Sequence, residues 1–273
     1  MGSGASDPSV AAKLRSLHDL LARTGPLVVA VSGGLDSRFL AHAALAANAE
    51  VSAVFLAGPH MTPKERDWAR HWLDGWGGPW QELAFDPLAL AEPEIDANGR
   101  MRCYHCKRAA FTRILELAAQ LGAAAAADGS NRSDRQAFRP GAQALAEMGV
   151  LSPLDAAGLE KSEIRAAARD AGLERWDQPA RPCLLTRFAY GERPGRALVA
   201  ALGRAEDALM DLGLTEFRVR LKGSGQGCLL QLGPAESAAW AGKAAAAEAL
   251  LAAAGFGPVQ VEQGAGVSGY FDR

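Results

Sequence analysis

Four cysteines in 273 residues, no net basic charge and no long apolar run exclude several broad classes for this chain. Lysine and arginine number 29 against 31 aspartates and glutamates, a formal net charge of -2, so the basic excess of a nucleic-acid binder is missing. No apolar stretch reaches the ~20 residues of a membrane-spanning helix, and the alanine tracts carry charges or glycines nearby. Met1 to Pro8 holds neither a basic segment nor an apolar one, so no secretory signal is expected and the cytoplasm is the expected compartment. Thiols there serve as metal ligands or reagents more readily than as disulfides. One Cys-x-x-Cys is present, with no second such pair and no histidine pair to complete a zinc set. The glycine turn near residue 33 lacks the Gly-Lys-Ser/Thr of a Walker loop and the third glycine of a dinucleotide fingerprint.

What is present begins with that turn. Leu27 to Val31 is a short apolar, β-branched run, as a strand buried on both faces would be. Ser32-Gly33-Gly34 breaks it, and Asp36-Ser37 opens a helical pattern through Phe39, Leu40, Ala43 and Ala44. Two glycines let the backbone approach closely, first-turn N–H groups are unpaired, and the helix dipole favours negative charge. Strand, turn and helix end therefore make an anion site suited to a phosphate chain. The plain alternative is a tight turn with a Ser/Asp cap.

Further along, helical spacing over Val10 to Leu21 predicts a helix ahead of that strand. Val51 to Leu56 and Trp80 to Phe85 read as strands, and Thr62-Pro63 as a helix start. Ala123 to Ala127 and Val150 to Leu154 are two further short strands, and Lys161 to Ala171 an amphipathic helix. Strands alternating with helices imply a parallel sheet covered on both faces, with ligands at the strands' carboxyl ends. Asp128-Gly129-Ser130-Asn131, followed by Phe138-Arg139-Pro140-Gly141, lies at such an end. Beyond Trp176 the character changes to a smaller α+β unit. It has a helix from Arg196 to Leu212, strands Glu216 to Lys222 and Cys228 to Leu232 joined by a hairpin through Gly223 to Gly227, a helix from Ala235 to Ala253, and a strand near Val259.

Arg100-Met101-Arg102-Cys103-Tyr104-His105-Cys106-Lys107-Arg108 sets the cysteine pair at a helix start among basic residues, which favours thiolate. Two small helix residues are the alternative. Cys183 sits in a Pro-rich loop between Arg181 and Arg187, where a thiolate would be stabilised and reachable. Arg218 and Arg220, two apart on a strand, point to one face and suit a phosphate, the alternative being a solvated edge strand. Cys228, alternating within a strand, reads as a buried structural thiol.

Ser32-Gly33-Gly34-Leu35-Asp36-Ser37 resembles the PP-loop of the ATP pyrophosphatase superfamily. Within it, four blocks resemble the LarE family of ATP-dependent sulfur transferases. They are the PP-loop, Arg102-Cys103-Tyr104-x-Cys106-Lys107, Asp128 to Asn131 with Gly149 to Leu154, and Cys183-Leu184-x-x-Arg187-Phe188-x-Tyr190-Gly191. The resemblance implies a HUP-like α/β domain, residues 1–187, and a C-terminal α+β domain, residues 188–273, for substrate binding or for assembly of a homo-oligomer. It implies an ATP site at Ala30, Ser32, Gly33, Gly34, Asp36, Ser37, Asp128, Gly129 and Asn131, with Asp36 helping to hold Mg²⁺.

ATP would adenylate a carboxylate of a pyridinium dicarboxylate mononucleotide, and sulfur would displace AMP on the path to a nickel-pincer cofactor. Cys183 is the key thiol, Arg187, Lys107 and Lys161 steady charge on the α-phosphate, Arg218 and Arg220 take the substrate phosphate, and Glu206 is a second metal candidate. Either Cys183 surrenders its own sulfur or Cys103, Cys106 and Cys183 ligate a [4Fe-4S] cluster that carries the sulfide. The departures are Pro179-Ala180-Arg181-Pro182 before Cys183, where the family has Pro-Ser-x-Ala; Gln231 for an acidic residue; Leu221-Lys222-Gly223 for a His-Gly turn; and the C-terminal segment. Other readings are thiolation of tRNA, which would want a basic surface, an ammonia-using PP-loop ligase, and a nucleotide sensor without turnover.

Overall fold

The computed structural model describes residues 9–47, 49–136, 139–221, 227–264, 267 and 271. The Met1 to Pro8 segment, Phe138, the hairpin turn from Lys222 to Gln226 and most of the C-terminal segment thus lie outside the described residues. The chain forms two compact units. The first comprises residues to Leu56, Ala69–Leu83 and Lys107–Gln178; the second comprises Ala57–Trp68, Ala84–Cys106 and residues from Pro179 onward.

The first unit is built on α1 (Val10–Arg23), β1 (Leu27–Val31), α2 (Leu35–Ala46), β2 (Val51–Ala57), α3 (Pro63–Gly75) and β3 (Trp80–Ala84). After α4 (Pro93–Asp96), which belongs to the second unit, α5 (Arg102–Gln120) leads to β4 (Ala125–Ala127), α6 (Pro140–Glu147), α7 (Pro153–Ala156) and α8 (Lys161–Asp170). The sheet order is β3-β2-β1-β4, with β1 central and parallel to both neighbours in the register Leu27↔Val51 and Leu27↔Ala125. Leu27, Val28, Val29 and Val31 are all buried, as a strand covered on both faces requires. The expected strand at Val150–Leu154 contracts to one parallel bridge, Ala127↔Leu151, because Pro153 at once starts α7.

The second unit carries α9 (Arg196–Asp211), β5 (Phe217–Leu221), β6 (Cys228–Leu232), α10 (Trp240–Ala253) and β7 (Val259–Gln263). Its sheet order is β5-β6-β7, antiparallel and then parallel. Leu184, Leu185 and Phe188 share one apolar core with Val199, Leu202, Phe217 and Leu230. A boundary at 187/188 would cut that core, so the division falls at Gln178/Pro179, and the second unit also takes in 57–68 and 84–106. The expected helix from Ala235 begins as a short turn, Pro234–Glu236, with α10 following from Trp240. Among the described residues, no helix is long and apolar enough to cross a membrane.

Candidate functional site

In the first unit the chain leaves β1 through Ser32 and turns at Gly33, whose φ of +79° lies in the left-handed region that favours glycine. The Ser32 N–H donates to Ser37 Oγ (3.1 Å), and that hydroxyl donates to the Gly34 carbonyl (3.1 Å). The two serine side chains thus lace the turn, while the first backbone N–H groups of α2 have no partner within the helix. Arg38 locks the turn from beneath. Fully buried, it donates from Nε to the Gly33 carbonyl (3.1 Å) and from its terminal nitrogens to the carbonyls of Glu174 and Arg175 and to Gln178 Oε1. Burial lowers its pKa to about 10. The sequence reading passed over Arg38; its signal was a cation between Ser37 and Phe39 on an apolar helix.

Asp36 is the residue of the turn best suited to a cation. Its Oδ1 is buried with no hydrogen-bond partner, and Lys161 Nζ stands 3.9 Å from Oδ2. Burial raises its pKa, against the pull of Lys161, Arg165 and Arg139. A carboxylate with an unfilled oxygen beside this turn fits Mg²⁺, which takes one or two protein carboxylates and completes its shell with phosphate and water.

The end of β4 meets the same turn. Asp128 accepts hydrogen bonds from Ser130 Oγ (2.5 Å) and Ser152 Oγ (2.7 Å). Asn131 is buried with neither side-chain amide atom partnered. Gly129 is a contact point, since a Cβ there would lie 2.7 Å from Ser37 N and 2.9 Å from Ser37 Cα. Gly129→Ala should therefore push α2 out of register at a cost of about 1–3 kcal/mol. The expected result is a melting temperature lowered by several degrees, read from thermal unfolding. The structure thus brings together Ala30 on β1, the turn residues, Asp128, Gly129 and Asn131. Lys107 belongs to this unit too, with its ammonium 5.0 Å from the Phe111 ring centroid.

The second unit holds the thiols. Cys183 precedes the short turn Leu184–Arg187, and its carbonyl accepts from Thr186 Oγ1 (2.7 Å). Cys103 and Cys106 are half-buried on the first turn of α5, three apart and so on one side of it. The expected Cys183 thiolate is corrected here. Burial pushes the thiol up to about 11, Cys103 adds to the rise, and Arg102 and Arg187 do not offset it. Among the described residues no three His, Cys, Asp or Glu side chains are grouped to hold a metal ion. As placed, Cys103, Cys106 and Cys183 do not make the three-thiolate set of an iron–sulfur cluster.

Asn98 organises these two cysteine segments. Its φ is +48°, and its buried amide donates to the Phe188 carbonyl (3.2 Å) and the Ala189 carbonyl (2.8 Å) while accepting from Arg102 Nη1 (2.7 Å). Arg102 in turn lies 4.9 Å from the Tyr190 ring centroid.

Arg187 is fully buried and forks onto Glu206, Nε to Oε1 at 2.6 Å and Nη2 to Oε2 at 3.0 Å. Burial opposes both charges, yet the pair holds Glu206 below the usual carboxylate range and Arg187 above its own. Both groups are thereby committed to each other. Glu65 adjoins the pair, its pKa raised by burial. Arg218 and Arg220 are 1% and 4% exposed, so β5 is an edge strand without a solvated face here. Burial and Arg187 lower the Arg218 pKa to about 9. Arg220 donates from Nε to Gln231 Oε1 (2.9 Å), from Nη1 to the Thr186 carbonyl (2.6 Å) and from Nη2 to the Val267 carbonyl (2.7 Å). Gln231 thus serves as an acceptor for an arginine. Cys228 is buried, as its alternation implied.

No family model matches the chain. A pyridinium-3,5-bisthiocarboxylic acid mononucleotide synthase from Lactiplantibacillus plantarum is 31% identical over 214 residues, 78% of this chain and 77% of that protein. The chain belongs to the LarE family. Two further relatives of this LarE-family chain are uncharacterized proteins. That of Synechocystis is 36% identical over 76% of this chain and 77% of its own length, and that of Methanocaldococcus jannaschii is 24% identical over 71% and 73%. A solved NMN synthetase from Francisella tularensis is similar over 64% of this chain and 76% of that chain, at 15% identity and a TM-score of 0.48.

Proposed function

We propose that this chain is an ATP-dependent sulfur transferase that acts on a small pyridinium carboxylate mononucleotide, in the cytoplasm, on the path to a nickel-pincer cofactor. The PP-loop turn takes the β,γ-phosphates on its free N–H groups, leaving the α-phosphorus open. Asp36 would hold Mg²⁺, which supplies neutralisation of phosphate charge. The substrate carboxylate forms a bond to the α-phosphorus, and the bond to pyrophosphate breaks. Hydroxide is a poor leaving group from a carboxylate and AMP a good one, so the acyl carbon becomes open to attack.

The observation that carries the sulfur step is Cys183, a half-buried thiol with Arg102 and Arg187 close enough to act on its charge. Its proton leaves, Sγ bonds to the acyl carbon, and AMP departs with the bonding electron pair. Loss of the Cα proton and cleavage of Cβ–Sγ then leave dehydroalanine at position 183 and a thiocarboxylate on the product. The L. plantarum relative is named for a bisthiocarboxylic product, which supports this assignment of substrate. The substrate's phosphate falls to the buried arginines of the second unit.

The test is pyrophosphate release from ATP with and without a pyridinium carboxylate mononucleotide. Release that depends on the carboxylate is expected. ATP that stays intact with every carboxylate offered would leave a nucleotide sensor as the better reading.

A further inference from the structure

The Cys-x-x-Cys pair has no part in the sulfur step proposed above, yet one of its thiols stands beside Cys183. Cys103 is half-buried, belongs to the same unit as Cys183 and is close enough to act on its charge. Both backbones are fixed. Cys103 sits in the first turn of α5, where the Arg102 N–H donates to the Gly99 carbonyl (3.1 Å) and the Tyr104 and His105 N–H groups to the Met101 carbonyl (2.9 and 3.2 Å). Cys183 is held from two sides. The Leu184 N–H donates to the His60 carbonyl (2.8 Å), and the Cys183 carbonyl accepts from the Thr186 N–H (2.9 Å) and Oγ1 (2.7 Å).

The Asn98 clamp ties one thiol's segment to the other's. Arg102, which precedes Cys103, donates to Asn98 Oδ1 (2.7 Å), and the Asn98 amide donates to the carbonyls of Phe188 and Ala189, just beyond the Cys183 turn. The Gly191 N–H donates back to the Asn98 carbonyl (3.3 Å). A thiol held in place beside a reacting atom acts as if at very high concentration. The sulfur step creates such an atom. Dehydroalanine at position 183 carries a C=C bond conjugated to its own carbonyl, so its Cβ is an electrophile to which a thiolate adds.

We propose that Cys103 captures this dehydroalanine, joining residues 103 and 183 by a thioether and sealing the sulfur-depleted chain. The inference rests on the self-sacrificing sulfur step proposed above. Cys103 Sγ gives up its proton and bonds to Cβ of residue 183, while the C=C electron pair moves to Cα and takes up a proton. Nothing is oxidised or reduced, and no group leaves. The product chain then offers no electrophile to outside thiols and cannot be recharged by one. Cys103 thereby gains a role that needs no metal.

The test is turnover of the full chain with ATP, Mg²⁺ and a pyridinium carboxylate mononucleotide, then reduction, β-mercaptoethanol, trypsin and mass spectrometry. Trypsin spares Arg181 because Pro182 follows it, so peptide 103–107 should appear joined to peptide 176–187, lighter than their sum by one hydrogen sulfide. The reductant opens a disulfide and leaves a thioether intact. Cys103→Ser should leave a dehydroalanine that takes up β-mercaptoethanol about tenfold more than the parent does, and Cys106→Ser should keep the crosslink. Should Cys103→Ser fail to fold, Cys103→Ala takes its place. Dibromobimane, which links two neighbouring thiols, reads the juxtaposition before any turnover and should join Cys103 to Cys183 in Cys106→Ser. No such link would overturn the capture, as would equal β-mercaptoethanol uptake by parent and Cys103→Ser, or a crosslink that needs Cys106. Sulfur lost from position 183 without a crosslink sinks the capture alone, whereas sulfur still present there after product forms sinks the sulfur step and the capture together.

Discussion

Cys183→Ser is expected to abolish thiocarboxylate formation, by roughly a thousandfold or more, while pyrophosphate is still released as the carboxylate is adenylated. A hydroxyl is a far weaker nucleophile than a thiol, and it carries no sulfur to give. In the parent protein, mass spectrometry should find the sulfur missing at position 183 after one turnover. Sulfur-containing product from Cys183→Ser would overturn the role of this thiol. The pH dependence follows from the same side chain. With the thiol pushed up to about 11, only about one chain in a thousand holds the thiolate at pH 8, and that fraction grows about tenfold per pH unit. Alkylation of Cys183 by iodoacetamide in the ligand-free protein should therefore climb through pH 7 to 10 without levelling. A plateau near pH 8.5 would mean that the arginines outweigh burial after all.

Glu206→Ala should cost the second unit about 3–5 kcal/mol, because it strands the fully buried Arg187 guanidinium without its counter-charge. Urea unfolding measures it, and Arg187→Met with Glu206→Leu should recover most of the loss, since the pair's desolvation disappears along with its attraction. The acid side gives an independent check. Glu206 is held below its ordinary value in the folded chain, so its contribution is present above the unfolded glutamate pKa and is lost as pH falls through the folded one. A single-variant loss under about 1 kcal/mol would show that Arg187 finds another partner and that the fork is dispensable.

Much of the first unit was legible because its signals are local. An apolar run, two glycines and a helix opening with Asp36-Ser37 define a strand, turn and anion site within about a dozen residues, and short-range sterics decide each. Val150 to Leu154 was misread for the opposite reason. Its apolar pattern fits a strand, but Pro153 commits the chain to a helical turn after a single bridge.

Residue order alone determined the glycine turn after β1, the alternation of β1 to β4 with helices, and the family to which the chain belongs. Tertiary structure decided the rest of the chemistry. Arg187 and Glu206, 19 residues apart, become one buried pair. Arg220 donates to Gln231, Thr186 and Val267, while Arg181 Nη1 and Arg218 Nε have no hydrogen-bond partner among the described residues. Cys183 lies among arginines in the chain yet is a neutral thiol in the fold. The physical reason is that burial and hydrogen-bond satisfaction depend on what packs around a group in space, and a charge's flanking residues do not report either.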